Sequence, residues 1–244
     1  MIYVGIDDTD TKDAPGTNKL ARSLIVNLQA DFQSVVAVRH QLLFDSRIPY
    51  TSKNSSASIQ FQSTDADRLE ELAARLRREM LDWFVEGSDP GLCVTEQVPQ
   101  EVVQFGRRCQ QDVVSQQEAR DLAARHNIHL EGLGGTEDGV IGALAAVGLA
   151  FDGNDGRVVN IGHWPDDLAG PLDAALLLSR GVDEIRCVDT GQLVTEGPVD
   201  ECLIDECLID VGKHLRPSYR GGRIVQFVQA TPSAPAPWTA VRFT

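Results

Sequence analysis

Three carboxylates fall within four residues at Asp7-Asp8-Thr9-Asp10. Acids packed so closely raise one another's pKa unless a cation answers them. Aspartates at this spacing suit Mg²⁺, a hard cation that takes carboxylate oxygen and substrate phosphate together. The other reading is a loop whose acids cap the next helix. Pro15-Gly16-Thr17-Asn18-Lys19 follows. A glycine beside hydroxyls and a lysine at a helix start can hold phosphate through backbone N–H groups, or can be a plain N-cap with Lys19 in solvent. The spacing is not that of a Walker A loop. Arg39-His40, Arg47 and the run Pro49 to Ser56, with Lys53 and Asn54, make a hydroxyl-rich loop flanked by cations. Such loops bind anions by directional donors plus charge, or merely face solvent. Gly132-Leu133-Gly134-Gly135-Thr136 and Gly139 to Gly148 form a fourth cluster. Its small residues allow close helix packing, and its glycines could line a pocket. It is not read as a Rossmann loop, because no strand is predicted to end at Gly132.

The elements that must position these residues follow from periodicity. Ile2 to Ile6 reads as a buried strand delivering the aspartates to its C-terminal end, where α/β ligand sites form. Asn18 to Leu28 reads as a helix from Leu20, Leu24 and Leu28. Val35 to Phe44 and Ser56 to Gln62 read as strands, and Asp65 to Phe84 as an amphipathic helix. Glu86 to Gln100, with two glycines and two prolines, is the predicted boundary. Beyond it, helices are expected at Gln117 to His126, Val140 to Ala150 and Leu172 to Ser179. Strands are expected at Val158 to Ile161, Glu184 to Val188 and Ile224 to Gln229. The pattern predicts an α+β protein of two packed α/β sandwich domains, residues 1–98 and 99–244.

A chain of 244 residues with 42% hydrophobic content can bury such cores. No apolar run reaches the length of a membrane helix. The opening MIYVGIDD lacks the basic start of a secretory signal, which points to a cytoplasmic chain. Five sparsely spaced cysteines do not form a disulfide framework. Cys202 and Cys207, in the repeat ECLIDECLID, lack zinc-site spacing. The net charge is −14, unevenly spread. Residues 160–210 hold twelve acids against Arg180 and Arg186, whereas residues 211–244 hold five cations and no acid. An acidic whole disfavours broad nucleic-acid binding, while a local basic patch could hold a phosphate.

The motifs, in order, resemble the archaeal tRNA(Ile2) 2-agmatinylcytidine synthase family. They are Gly5 to Asp10, Thr17 before Leu20-Ala21, Arg39, Ile48-Pro49-Tyr50 with Lys53 and Asn54, Asp89-Pro90-Gly91, and Ile141 to Gly148. The match covers residues 1 to about 160, with a weaker echo at Arg216 to Gly222. The resemblance implies a kinase-like ATP- and Mg²⁺-binding first domain and a ferredoxin-like second domain that contributes to an amine site. In that family ATP phosphorylates the C2 oxygen of a cytosine and agmatine displaces the phosphate. It therefore implies catalytic and metal-binding roles for Asp7, Asp8 and Asp10, and places Thr17 near the transferred phosphoryl group. Thr9, Lys19, Arg39, Lys53 and Asn54 are expected to hold ATP. Glu137 and Asp138 are expected to meet a cationic amine in a cleft between the two halves. The family pattern continues into an OB-like domain and a zinc ribbon. This chain ends at Thr244 without a CxxC pair. That, with the acidic charge, predicts a ligase-like enzyme with a small-molecule acceptor and weak or no tRNA binding alone, with a homodimer allowed. The alternatives are a non-catalytic nucleotide or amine sensor, and a tRNA-modifying subunit that needs an RNA-binding partner.

Overall fold

The computed structural model describes residues 1–49, 53–62, 68–161, 168–194, 207–231 and 236–242. Tyr50, Thr51 and Ser52 of the hydroxyl-rich loop and Cys202 of the repeat lie outside the described residues. The protein is α+β, as the pattern predicts. It divides into Met1–Asp152 and Gly153–Thr244, whereas composition placed the boundary at 98/99.

The first unit runs β1 (Ile2–Asp7), α1 (Thr17–Leu28), β2 (Ser34–Gln41), β3 (Ser55–Phe61), α2 (Arg68–Asp82) and β4 (Gly91–Thr95). It continues with α3 (Gln100–Cys109), α4 (Gln116–Arg125), β5 (His129–Gly132) and α5 (Gly139–Asp152). Its sheet has the order β5-β4-β1-β3-β2 and is antiparallel throughout. The first six elements therefore make the ferredoxin-like β-α-β-β-α-β arrangement. That arrangement lies in the first unit and not in the second half, where it was expected. The Gly/Pro stretch misled because Pro90 and Gly91 introduce β4, which pairs with β1 from Tyr3↔Thr95 to Asp7↔Gly91. Gln100 onward belongs to the same unit, because α3 and α5 pack on each other and α5 packs on β1.

Strand alternation sets two faces. Tyr3, Gly5 and Asp7 face α5: the Tyr3 ring meets Phe151 edge-on at 5.5 Å, and Gly5 lies under the Ala143 carbonyl. Ile2, Val4 and Ile6 face the other way, where Leu20, Leu24 and Leu28 of α1 and Leu72, Leu76 and Met80 of α2 are buried. Helix α5 is apolar nearly all round and almost wholly buried, as a helix held on several sides must be. Alanines and glycines let it approach closely. A Cβ at Gly5 would enter the Ala143 carbonyl, one at Gly148 the Val102 carbonyl, and one at Gly106 would come within 2.8 Å of the Ala145 carbonyl.

The second unit contains β6 (Arg157–Asn160), β7 (Pro171–Asp173), α6 (Ala174–Ser179), β8 (Glu184–Cys187), β9 (Leu208–Asp210), β10 (Ser218–Arg220), β11 (Arg223–Ala230) and β12 (Trp238–Val241). β11 pairs antiparallel with β10 and β12 and in parallel with β8. β12 pairs in parallel with β9, which pairs with β7, and β10 pairs with β6. Among the described residues no helix is long and apolar enough to cross a membrane.

The close approach of α5 gives a first prediction. Gly5→Ala sets a methyl into the backbone carbonyl of Ala143, which no rotamer change relieves. It should destabilise the protein by about 3 kcal/mol or more, at the upper end of overpacking costs. Urea unfolding checks this, and a loss under about 1 kcal/mol would contradict the packing.

Candidate functional site

The C-terminal end of β1 opens into a cavity of about 260 Å³ within the first unit. Asp7, Asp8, Asp10, Thr17, Lys53, Asn54 and Asp138 line it, so residues separated by up to 131 positions in sequence meet there. Leu42, Ile48, Pro49, Val113, Val114 and Ile141 form an apolar wall.

Three helices bring their N-termini to this cavity. Helix α1 starts at Thr17 after Gly16, with no side-chain cap on its first turn. Thr17 Oγ accepts from the Thr9 hydroxyl at 3.1 Å and donates to Asp10 at 3.5 Å. Helix α4 starts with a capping box: Ser115 Oγ accepts from Glu118 N, and Glu118 accepts from Ser115 N. Helix α5 starts at Gly139, next to Asp138. Each N-terminus carries roughly half a positive charge, although the first N–H groups of α5, at Gly139, Val140 and Ile141, are already taken by the carbonyls of Asp89, Glu137 and Asp138. Together they favour an anion.

The side chains carry the opposite sign. Asp7, Asp8, Asp10, Asp112 and Asp138 line the cavity against Arg47 and Lys53. Arg47 is already engaged by Asp45 through two hydrogen bonds, at 2.8 and 2.7 Å. Burial, then the charge of Asp8, pushes Asp7 up to about 8. Burial, then the charges of Asp89, Asp10 and Asp138, pushes Asp8 up to about 6. Burial also raises Asp10, against the hydrogen bond from Thr17. Asp8 further adopts a left-handed φ of 50°, a strained conformation for a residue other than glycine. Asp89 supports it: Asp89 N donates to the Asp8 carbonyl at 3.1 Å. The Asp89 carboxylate accepts from Thr136 N, and its carbonyl accepts from Gly139 N at 3.0 Å. The Asp-Pro-Gly motif thus ties the end of β1 to the glycine-rich loop before α5.

Four of the expected binding residues do not line the cavity. Thr9 is buried beneath it and holds Thr17. Lys19 is exposed on the first turn of α1. Arg39 is 7% exposed, and its guanidinium donates to Ser55 Oγ at 3.1 Å and Gln41 Oε1 at 2.7 Å. Glu137 pairs with Arg120. Asp138 meets Asp7 and Asp8 inside the first unit, not across a cleft between halves, and accepts from Gln116 at 3.1 Å. The Asn54 amide is committed to the Leu43 carbonyl at 2.8 Å. Cys109, Asp112, Ser115 and Gln116 were missed. The Ser115-x-x-Glu118 capping pattern was the available signal, but nothing local told where that helix start would lie. Among the described residues no three His, Cys, Asp or Glu side chains gather as a metal-holding group. Asp7, Asp8 and Asp10 therefore do not form a cage by themselves.

No protein-family model matches the chain. Over 156 residues it is 29% identical to tRNA(Ile2) 2-agmatinylcytidine synthetase TiaS of Archaeoglobus fulgidus. The match covers 62% of this chain and 36% of that protein, so the chain spans about a third of the relative's length. The chain resembles the tRNA(Ile2) 2-agmatinylcytidine synthetase family. The crystal structure of a tRNA fluorescent labeling enzyme superposes with a TM-score of 0.53 at 26% identity, over 60% of this chain and 35% of that one. The TiaS–tRNA(Ile2)–ATP complex superposes with a TM-score of 0.54 at 19% identity, over 80% of this chain and 49% of that one, a likeness of fold alone. TiaS binds tRNA and ATP in that complex. The likeness in sequence to a tRNA(Ile2) synthetase is at odds with the expectation of weak or no tRNA binding, which rested on the missing CxxC pair and on net charge, a quantity that averages over patches of opposite sign.

The raised Asp7 pKa has a consequence for stability. Between the ordinary carboxylate range and pH 8 the folded chain keeps a proton that the unfolded chain has released. Stability therefore falls as pH rises through that window. Asp7→Asn should flatten the fall and raise Tm by several degrees at pH 8, with little change at pH 4, in buffer free of divalent cations. Differential scanning fluorimetry checks this, and a lower Tm at pH 8 would contradict it.

Proposed function

We propose that the first unit binds ATP with Mg²⁺ and takes part in an ATP-dependent ligase reaction on a tRNA cytidine. In this reading ATP phosphorylates an oxygen of the base, and the neutral amino group of an agmatine-type amine then attacks the same carbon, so that the C–O bond breaks, phosphate leaves and the new nitrogen gives up its proton. The observation that carries the proposal is the cavity itself. Three helix N-termini and Lys53 suit phosphates, the apolar wall suits a base, and the surplus of carboxylates suits a cation. The sequence relationship to a tRNA(Ile2) 2-agmatinylcytidine synthetase supports the same reading.

Mg²⁺ fits the donor set, although the aspartates are no cage alone. It binds nucleotides through one or two carboxylates plus phosphate oxygens. Asp7 and Asp8 are the carboxylates whose charged forms most lack a counter-ion. They would hold the metal, with Asp10 beside them. A bound Mg²⁺ supplies charge neutralisation on the phosphates, where phosphoryl transfer needs it. Thr17 and the first turn of α1 orient phosphate oxygens, with Thr9 and Asp10 fixing the Thr17 hydroxyl. Asp138 and Asp112, which both line the cavity, offer carboxylates to the cationic guanidinium of the amine, whose burial is costly without a partner, while its amino group must lose a proton before it attacks. Leu42, Val113 and Ile141 exclude water from the reacting groups.

Asp8→Asn should weaken Mg–ATP binding about tenfold, roughly 1.4 kcal/mol, and leave Tm unchanged or raised. Calorimetry in Mg²⁺ checks this. Incubation with ATP, labelled agmatine and a tRNA(Ile2) transcript should transfer label to the RNA only when ATP is present. Unchanged Mg–ATP affinity in both Asp8→Asn and Asp10→Asn, with no label on RNA, would overturn the proposal.

A further inference from the structure

The acid-free run 211–244 contains a tight hairpin. β10 and β11 are joined by Gly221 and Gly222, both left-handed at φ 60° and 71°. A two-residue turn of type I′ needs that conformation at both positions, and glycine supplies it without strain. The tip is tethered. Gly221 N donates to Asn154 Oδ1 at 2.8 Å, and Gly222 N donates to the Gly153 carbonyl at 3.0 Å.

Across this rigid tip Arg220 stands directly opposite Arg223. Like charges opposite one another on paired strands cost stability, so the arrangement asks what answers them. Arg223 is answered by Glu184, which also accepts from Arg186 at 2.6 Å. Asp183, nearby, is engaged by Ile224 N at 2.7 Å. Arg220 meets no carboxylate among the described residues. Its Nη1 donates to the carbonyls of Gly156 at 3.2 Å and Tyr219 at 2.8 Å. Those bonds fix the guanidinium without neutralising it. Its Nε and Nη2 make no hydrogen bond among the described residues. A guanidinium held in place with one edge unspent matches the fork that binds phosphate oxygens in pairs. Arg242 is held in a similar way by the Val211 and His214 carbonyls, at 3.4 and 3.0 Å.

We infer that the Arg220-Gly221-Gly222-Arg223 hairpin is a contact point for the phosphodiester backbone of RNA, with Arg220 as the phosphate ligand. The inference rests on the reading of the chain as acting on tRNA. It adds a contact point in the second unit that shares no residue with the cavity assigned to ATP and the amine. Phosphate contacts position a nucleic acid without reading its sequence. The hairpin therefore sets grip and register, not base choice.

The test is tRNA binding to the full chain across a salt series. Each phosphate contact contributes roughly 0.7 to 0.9 to the slope of log affinity against log salt. Arg220→Gln should lower the slope by about that amount and weaken binding several-fold at 0.15 M salt, with Mg–ATP affinity unchanged. Arg220→Lys should keep the slope, because it keeps the charge. Inorganic phosphate at millimolar concentration, at matched ionic strength, should not displace tRNA. Wild-type tRNA binding with an unchanged slope in Arg220→Gln of native Tm would overturn the inference and leave the proposed reaction standing. Displacement by free phosphate would assign the site to a small anion and overturn it equally. Loss of slope in both variants would show that Arg220 acts through its carbonyl bonds and not its charge. Absence of any tRNA binding by the wild-type chain would remove the inference together with the tRNA reading, while Mg–ATP calorimetry would still report on the nucleotide site.

Discussion

Helix α5 lies against β1 closer than side chains normally permit, and the first unit is organised around that approach. Gly5 gives way to the Ala143 carbonyl, Gly142 gives way to the Asp7 carboxylate, and Gly91 gives way to the backbone at Gly139. A helix at ordinary distance would leave a gap at the end of β1, and water would fill it. At this distance the helix start, with its partial positive charge, sits beside carboxylates that burial would otherwise penalise. Packing and electrostatics are thus one feature, since the same glycines that fit the helix desolvate Asp7.

The resulting site is internally unbalanced. Asp7 is raised to about 8 and Asp8 to about 6, and in both burial is the first cause and neighbouring carboxylates add to it. A fold gains nothing from such a cluster, and the left-handed Asp8 adds backbone strain to the cost. Asp89 holds that strain in place from the opposite strand connection. The imbalance is informative because it is two-sided. The side chains call for a cation and the three helix starts call for an anion. A ligand carrying both, such as a metal–nucleotide pair, answers each with the other.

Much of this was legible in the sequence, and the gaps have physical reasons. The strand ending in Asp7 and the helix through Leu20, Leu24 and Leu28 follow from period alone, because each buries one face. Strands β2 and β3 and helix α2 are found within a few residues of where their patterns place them. β4 was hidden because Pro90-Gly91 reads as a break. In the fold it is a strand start, and Gly91 is required by the backbone at Gly139 rather than by a turn. β5 was hidden because four residues with no clear alternation, His129 to Gly132, carry little signal. Leu172 to Ser179 was read as one helix, but Pro171–Asp173 forms a strand and only Ala174–Ser179 is helical. For the site, local motifs brought Asp7, Asp8, Asp10, Thr17 and Asp138 forward. Ser115 and Gln116 reach the cavity through the α3–α4 connection, and topology of that kind leaves no trace in local spacing.

Charge shows the same limit from another side. A net −14 was taken as a statement about partners, yet it describes no surface in particular. The acids of residues 160–210 and the cations of 211–244 nearly adjoin in sequence, yet Asp183 and Glu184 are set beside β11 while Arg220 lies on β10. What a partner meets is a few groups at one place and whether their neighbours already neutralise them. Glu184 is spent on Arg186 and Arg223, and Asp183 on the Ile224 amide. Arg220, fixed by carbonyls, keeps its charge. Within an acidic protein a cation fixed in place and not paired with a carboxylate among the described residues says more about an anionic partner than the total does, because affinity depends on charges that binding can still neutralise.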